Sequence, residues 1–317
     1  MKIIAPKQYR NFRCIADKCR HSCCVGWEID IDDETLARYR AVSGAFGERL
    51  QNEIEVLDGS AAFRLTKDER CPFLNARGLC DIYLTLGEDA LCQICTDHPR
   101  FRNFFSDRTE VGLGFCCSEA ARQALSATEP FVLCVLTDDK CESSPTPEEI
   151  SFFALREKLF SAIQQKAVPM EVRMQTMLTT VGASLPKRDF ATWAQFYAKL
   201  ERLDSGWDTA LSALQSAPRT DVFRFATDET DAFFENLLCY FVYRHLAGAL
   251  EDGRFGARTA FAVHATQFIA ALCAANIPEN QNFNMEIALD LVRQYSTEIE
   301  YSDENLEAIL EALSADC

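Results

Sequence analysis

The sequence contains no uninterrupted apolar run of about 18 residues, the length that a membrane-spanning helix needs, so no membrane span is expected. It opens MKIIAPKQYRNFRC, and Pro6, Lys7, Gln8 and Arg10 interrupt the apolar start before a secretory leader could form, so a cytoplasmic chain is expected. Positive charge is in short supply: 32 Lys and Arg stand against 48 Asp and Glu, a formal charge of −16. That sign is wrong for a protein that grips a nucleic-acid backbone. It is equally wrong for one that sits on an anionic membrane. No internal repeat period is visible. A chain of 317 residues with 48% hydrophobic and 25% charged residues holds one large or two ordinary folded domains.

Cysteine, by contrast, is abundant and unevenly spread. Of the 15 cysteines, those at 14, 19, 23, 24, 71, 80, 92, 95, 116 and 117 crowd the first third. Cys134, Cys141, Cys239, Cys273 and Cys317 are scattered over the rest. In a reducing compartment a disulfide framework is the weaker reading of such a cluster, and metal binding the stronger one. The vicinal pairs Cys23-Cys24 and Cys116-Cys117 also suit a disulfide scaffold poorly. The plainer alternative is a set of buried free thiols, which pack as small apolar residues.

Read in order, the chain predicts a short extended piece ending at Asp32, then a helix from Asp33 to about Leu50 with apolar Leu36, Tyr39, Val42, Phe46 and Leu50. Strand-like alternation follows at Phe63-Arg64-Leu65, then a turn at Asn75 to Gly78. A helix beginning at Gly87-Glu88-Asp89 and stopped by Pro99 would carry Cys92, Cys95 and His98 at intervals of three, placing their donors on one face. Ser118 is an expected N-cap for Glu119 to Leu125, with Cys116 and Cys117 at that helix's start. Residues 138–148 read as a linker, and Thr146-Pro147-Glu148-Glu149 as a capping box that opens a helix. Beyond it, helical periods run over 147–166, 169–184, 188–203, 206–216, 228–251, 257–275, 284–299 and 303–314. The turns between them contain Pro169, Pro186, Gly206, Pro218, Gly253, Gly256 and Pro278. The expected fold is mostly α: an irregular cysteine-rich metal-binding domain over 1–140, then an α-helical domain over 146–317. Ten acidic residues against one basic residue after Pro278 predict anionic faces on the last helices.

Four thiolates can hold tetrahedral zinc or an iron–sulfur cluster. Only Cys92-x2-Cys95 is a clean zinc knuckle; Cys14-x4-Cys19, Cys19-x3-Cys23 and Cys71-x8-Cys80 are irregular, which favours a cluster while leaving zinc open. Adjacent cysteines cannot serve one ion equally well, so one of Cys23 and Cys24 is expected to be a spare.

The runs Phe12-Arg13-Cys14 through Cys23-Cys24-Val25-Gly26-Trp27, Cys71-Pro72-Phe73-Leu74, Leu79-Cys80-Asp81-Ile82-Tyr83, Leu91-Cys92-Gln93-Ile94-Cys95 and His98-Pro99-Arg100 resemble the flagellin lysine N-methylase family. More broadly they are similar to the cysteine-rich zinc- or iron-chelating domains related to it. The likeness is specific over about residues 9 to 120. It implies transfer of methyl groups from S-adenosylmethionine to lysine side chains of flagellin, and an iron–sulfur cluster of the 4Fe-4S type. It marks Cys19, Cys23, Cys24, Cys71, Cys80, Cys92 and Cys95 as metal ligands, with Cys14, Cys116 and Cys117 as secondary candidates.

Two departures stand beside the resemblance. No Gly-rich strand-to-helix loop offers itself for an adenosyl group; the nearest stretch, Gly112-Leu113-Gly114, has no acidic strand end after it. Nor is there a Cys-x3-Cys-x2-Cys triplet, because Cys19-x3-Cys23 is followed by cysteine at 24. Tyr83, Asp81, Asp97 and His98 lie near the thiolates and are candidates for orienting an amine, with plainer roles as a turn former for Asp81 and a cap for His98. His245 and His264 read as satisfied core histidines, and the run Arg100 to Phe105 as a loop packing on the cysteine-rich domain. The competing function is a non-catalytic module stapled by zinc or a cluster, or a metal-insertion or redox factor.

Overall fold

The computed structural model describes residues 2–57, 59–139, 143–204, 206–217, 225, 227–278 and 281–314. Residues 140–142 of the expected linker, Pro218, and the cysteines at 141 and 317 lie outside the described residues. The described residues are mostly helical, 57% helix against 12% strand, as the sequence periodicity requires. The compact units, however, divide the chain differently from its composition. Arg13–Arg100 forms one unit, while Met1–Phe12 joins Phe101–Cys317 in the other.

The larger unit contains a four-stranded sheet in the order Arg100–Phe104, Arg108–Leu113, Lys2–Pro6, Leu133–Asp138. Lys2–Pro6 runs parallel to Arg108–Leu113, with Ile4 opposite Glu110. It runs antiparallel to Leu133–Asp138, with Pro6 opposite Leu133. A strand with neighbours on both sides cannot belong to a separate N-terminal domain. The run Arg100 to Phe105 is therefore not a loop on the cysteine-rich unit: its first five residues are a strand, and Phe105 stacks on Phe152 at 5.6 Å.

Helices supply the rest of the larger unit. Thr146 and Glu149 form the expected capping box of Pro147–Ile163. Met170–Val181, Phe190–Tyr197, Gly206–Ser216, Asp228–His245, Phe255–Asn276, Met285–Tyr295 and Asp303–Ser314 follow close to the predicted spans. Phe255–Asn276 is long and apolar enough to cross a membrane by length and composition, with a mean hydropathy of 1.2 over its best window. That window is 78% buried inside the unit, as befits a core helix. The predicted 284–299 helix widens at its end into a π turn, Ser296–Glu300. The turn swings Glu298 and Glu300 inward, so two of the acids expected on a solvated face are buried.

The smaller unit is built on less. A three-stranded sheet, ordered Asp30–Ile31, Ser60–Phe63, Ile54–Leu57, packs with two short helices where one was expected. Asp33–Ala41 ends at Val42, whose backbone is extended, and Gly44–Asn52 begins with Gly44 at φ 78°. Gly47 seals the break: a Cβ there would meet the Val42 carbonyl oxygen at 2.0 Å. The core comprises Ile29, Ile31, Tyr39, Leu50, Ala61, Phe63, Phe73 and Ile82 with the thiols of Cys71 and Cys92. A buried core of ten residues has little hydrophobic stabilisation to spare.

His264 departs from expectation. It is buried against Trp193, ring centroids 4.3 Å apart, but its Nε2 has no hydrogen-bond partner. Burial, helped by the Arg188 charge, pushes its imidazole down to about 3. A folded value below the unfolded one, about 6.5, means that the unfolded chain takes up the proton first. Stability is therefore lost as pH falls from that unfolded value towards the folded one. His264→Leu should cost no more than about 1 kcal/mol at pH 7, since it also removes an unsatisfied buried atom. At pH 5 it should gain about 2 kcal/mol on the wild type relative to pH 7. Urea midpoints at the two pH values check this; a difference that does not change with pH sinks it.

Candidate functional site

In the smaller unit the backbone gathers the cysteines. The Cys71 amide donates to the Cys24 carbonyl at 2.8 Å, fastening the first cysteine stretch to the second. Cys71 and Cys80 are the two ends of a turn built on Asn75, whose Oδ1 accepts from the Arg77 and Leu79 amides at 2.9 and 3.1 Å. Gly78 closes this turn at φ 73°. Asp81 locks it, accepting from Arg49 Nη1 at 2.8 Å and Asn75 Nδ2 at 2.9 Å, while Arg49 Nη2 donates to the Pro72 carbonyl at 2.7 Å.

The third stretch is held by the helix Asp33–Ala41. Asp32 caps that helix through one oxygen, and its other accepts the Gln93 amide at 2.9 Å. The Tyr39 hydroxyl donates to the Ala90 carbonyl at 2.7 Å and lies 3.7 Å from Cys92 Sγ. The expected long helix is a 3-10 turn, Glu88–Ala90, followed by Gln93–Asp97, with Cys92 and His98 as its caps. Cys92 and Cys95 nevertheless share a face, their sulfurs 4.0 Å apart.

Five thiols thus lie within reach of one another's charge. Burial, with the charges of Cys24, Cys80 and Cys92, pushes Cys71 up to about 12, against the pull of the Phe73 amide. Cys80 is raised by burial and by Cys24 and Cys92. Cys95 is raised by its bond to Cys92, which is lowered in turn. Cys24 falls to about 7, chiefly through a hydrogen bond from Cys23. The vicinal pair differs in burial: Cys24 packs on the core with Cys80 and Cys95, and Cys23 is exposed. Cys14 is exposed too, and the Cys19 thiol donates to the His21 carbonyl at 3.0 Å. None of the described cysteines is in a disulfide.

Among the described residues no three Cys, His, Asp or Glu side chains are drawn together tightly enough to hold a metal ion. The donor chemistry and the Cys92–Cys95 pair do fit one. Two sulfurs each about 2.3 Å from a tetrahedral ion stand about 3.8 Å apart. The other candidates are dispersed in role. His98 packs against Trp27 with ring centroids 5.6 Å apart and the planes tilted by 49°, and burial, with Arg100, lowers it to about 4, leaving a neutral imidazole. Tyr83 is 48% exposed. Cys116 and Cys117 belong to the larger unit, where burial raises Cys116 to about 12 despite a hydrogen bond with Tyr301. Sequence reading missed Asp32, Tyr39 and Arg49 as the groups that position the thiols; only the capping role of Asp32 carried a signal.

The larger unit contains a cavity of about 40 Å³ walled by Tyr9, Phe101, Phe115, Phe131, Tyr240 and Tyr243. Phe115 lies flat on Tyr240, centroids 3.6 Å apart, and Phe101 and Phe131 approach Tyr243 at 5.9 and 5.8 Å. Gly112, once the nearest candidate for an adenosyl-binding loop, is in the strand Arg108–Leu113 on this wall. A Cβ there would meet Phe101 at 2.2 Å, so its missing side chain makes room for a ring. Behind Tyr240, the hydroxyl donates to Glu300 Oε2 at 2.7 Å and accepts from Arg244 Nη1 at 2.8 Å. Nothing in the spacing of the sequence signalled this cavity.

No solved structure matches the chain. It is 24% identical over 219 residues to the lysine-N-methylases of Salmonella choleraesuis (strain SC-B67) and Salmonella typhimurium, covering 67% of this chain and 51% of each relative. It is 26% identical over 137 residues to the flagellar biosynthetic protein FliU of Salmonella muenchen, covering 41% of this chain and 81% of that one. The chain spans about half the length of the lysine-N-methylases it matches. The family profile described as the FliB lysine N-methylase C-terminal domain matches residues 136–316, more than half of the sequence and most of the helical unit, so the chain belongs to the FliB lysine N-methylase family.

Proposed function

We propose that the protein is a protein-lysine N-methyltransferase that moves methyl groups from S-adenosylmethionine to lysine side chains of a flagellar substrate, flagellin, in the cytoplasm. The observation that carries the reading is the family match over residues 136–316; the name of the FliU relative supports a flagellar substrate. The chemistry asks for a neutral amine: a lysine of pKa about 10.4 is unprotonated in only about one molecule in a few thousand at pH 7. The nitrogen lone pair attacks the sulfonium methyl carbon, the S–C bond breaks with its electrons going to sulfur, and the amine proton passes to a base. Desolvation lowers the amine's pKa, and the sulfonium charge lowers it further. A protein of charge −16 draws a cationic donor and a basic segment alike.

The cysteines of Arg13–Arg100 would hold the metal centre of this reading, an iron–sulfur cluster with zinc as the alternative. Cys92 and Cys95 offer a ready pair, and Cys24, Cys71 and Cys80 supply further sulfur from the same core. Once bound, the centre would cross-link three chain segments and, if it keeps an open iron, could grip the amino and carboxylate groups of the methionine moiety. Exposed Cys14 and Cys23 are the weaker ligands.

Anaerobically purified, metal-replete protein, incubated with methyl-labelled S-adenosylmethionine and flagellin, should label lysines; no label overturns the reading. Iron, sulfide and zinc are to be quantified on the same sample, since a colourless protein with stoichiometric zinc replaces the cluster with a zinc staple. Cys24→Ser should lower the metal content and Cys23→Ser should leave it near the wild-type value.

A further inference from the structure

We propose that the aromatic cavity of the larger unit receives an alkylammonium group, the tip of a substrate lysine; the identity of that ligand rests on the methyltransferase reading above. Four observations meet there. First, the six rings named above present π faces and edges, and a ring face attracts a cation within about 6 Å, more strongly once water is excluded. Second, Gln123 lines the cavity and its Oε1 is buried with no hydrogen-bond partner. Its Nε2 donates to Glu119 Oε1 at 2.8 Å, and a carboxylate can only accept, which fixes the amide with its oxygen as the free acceptor. An ammonium N–H is the donor that such an orphan lacks.

Third, the space admits a slender group. A cavity of about 40 Å³ exceeds the ~10–15 Å³ that a single water needs. The last methylenes and nitrogen of a lysine side chain can enter such a space. Half-buried Gln8, Tyr9 and Leu113 in its lining leave it reachable from solvent.

Fourth, the guanidiniums behind the rings do not repel a cation. Arg244, over Phe101 at 5.0 Å, is paired with Glu300 at 3.4 Å. Arg156, 5.6 Å from the Tyr243 ring, is paired with Glu110 at 2.6 Å. The lining itself holds no charged side chain, only rings, small apolar groups and the amides of Gln8, Gln123 and Asn236.

The test is binding, read by saturation-transfer NMR on the full chain. The probes are N-acetyl-lysine N-methylamide and its uncharged isostere, the N-acetyl N-methylamide of 2-aminoheptanoic acid, whose side chain ends in a methyl group in place of the ammonium. The lysine probe should bind about tenfold more tightly than the isostere, the difference expected for one good cation–π contact. Phe131→Leu and Gln123→Leu should each weaken the lysine probe several-fold and leave the isostere unchanged. Equal affinity for the two probes on the wild type overturns the proposal whether or not either variant folds. So does unaltered lysine affinity in variants that melt like the wild type. Methylation is assayed separately. Failure to methylate, with the charge preference intact, sinks the enzymatic reading and leaves the site standing. Methylation at wild-type KM for the protein substrate in both variants removes the site and leaves the reading.

Discussion

Glu110→Gln is expected to lower the unfolding free energy by about 3–5 kcal/mol, with Arg156→Met costing a similar amount. The two side chains are 0% and 3% exposed and meet in a forked pair, Nη1 to Oε2 at 2.6 Å and Nη2 to Oε1 at 2.7 Å. Glu110 stands on the strand Arg108–Leu113 and Arg156 on the helix Pro147–Ile163, so the pair pins the sheet to the helical layer of the same unit. Removing either partner leaves the other charge buried without compensation, and that penalty is the bulk of the predicted loss. It follows that the double variant should cost clearly less than the sum of the singles, because it strands no charge. The guanidinium also lies over Phe152 at 5.0 Å, which Met can partly replace by packing. Urea unfolding of the four proteins in the cycle is the measurement. Singles that cost under about 1 kcal/mol, or costs that add, would show that water reaches the pair.

Much of this arrangement was legible in the sequence, and the reasons for the rest are physical. Helices with strong apolar periods and caps were placed well: Thr146 and Glu149 mark their own capping box, and Asp303–Ser314 matches its predicted span. The four-stranded sheet was not read. Its strands are short, and the parallel pairing of Lys2–Pro6 with Arg108–Leu113 joins residues about a hundred positions apart, which no local pattern encodes. The compact units likewise divide the chain differently from its composition. Cysteine density reports chemistry, whereas the units are defined by which strands complete which sheet.

The candidate site divides in the same way. The gathering of Cys24, Cys71, Cys80, Cys92 and Cys95 follows from turns whose signals were visible, notably Asn75 to Gly78 and the i, i+3 spacing of Cys92 and Cys95. The groups that fix them, Tyr39 and Arg49, act across segments and looked like ordinary helix residues. The aromatic cavity was invisible because its walls come from residues 9, 101, 115, 131, 240 and 243, which only the fold brings together. Its back wall also depends on a carboxylate that sequence reading assigned to a solvated face.

That carboxylate carries the other large prediction. Glu300→Gln should destabilise the protein by about 3 kcal/mol at pH 7, and the difference should shrink on acidification. Burial alone would raise its pKa, but the Arg244 charge and hydrogen bonds from His245 and Ser296 win and hold it down at about 2. His245 Nε2 lies 2.7 Å from Oε1, and burial lowers the histidine's own pKa, so the imidazole acts as a neutral donor and Arg244 supplies the charge. A carboxyl depressed from 4.5 to about 2 on folding contributes about 3 kcal/mol, at about 1.4 kcal/mol per unit. The sign follows: the contribution is complete above the unfolded value and fades as pH falls towards the folded one. The gap between wild type and variant should therefore be full at pH 7, nearly full at pH 5 and mostly gone near pH 2.5, as read from urea midpoints. A gap that is constant with pH would mean that Gln loses only a hydrogen bond and not a charge. Because Tyr240 hangs its hydroxyl on this carboxylate, the same variant should also weaken the lysine probe in the cavity, where Tyr240 is a wall. Loss of the ion pair without loss of probe binding would uncouple the buried network from the cavity that it backs.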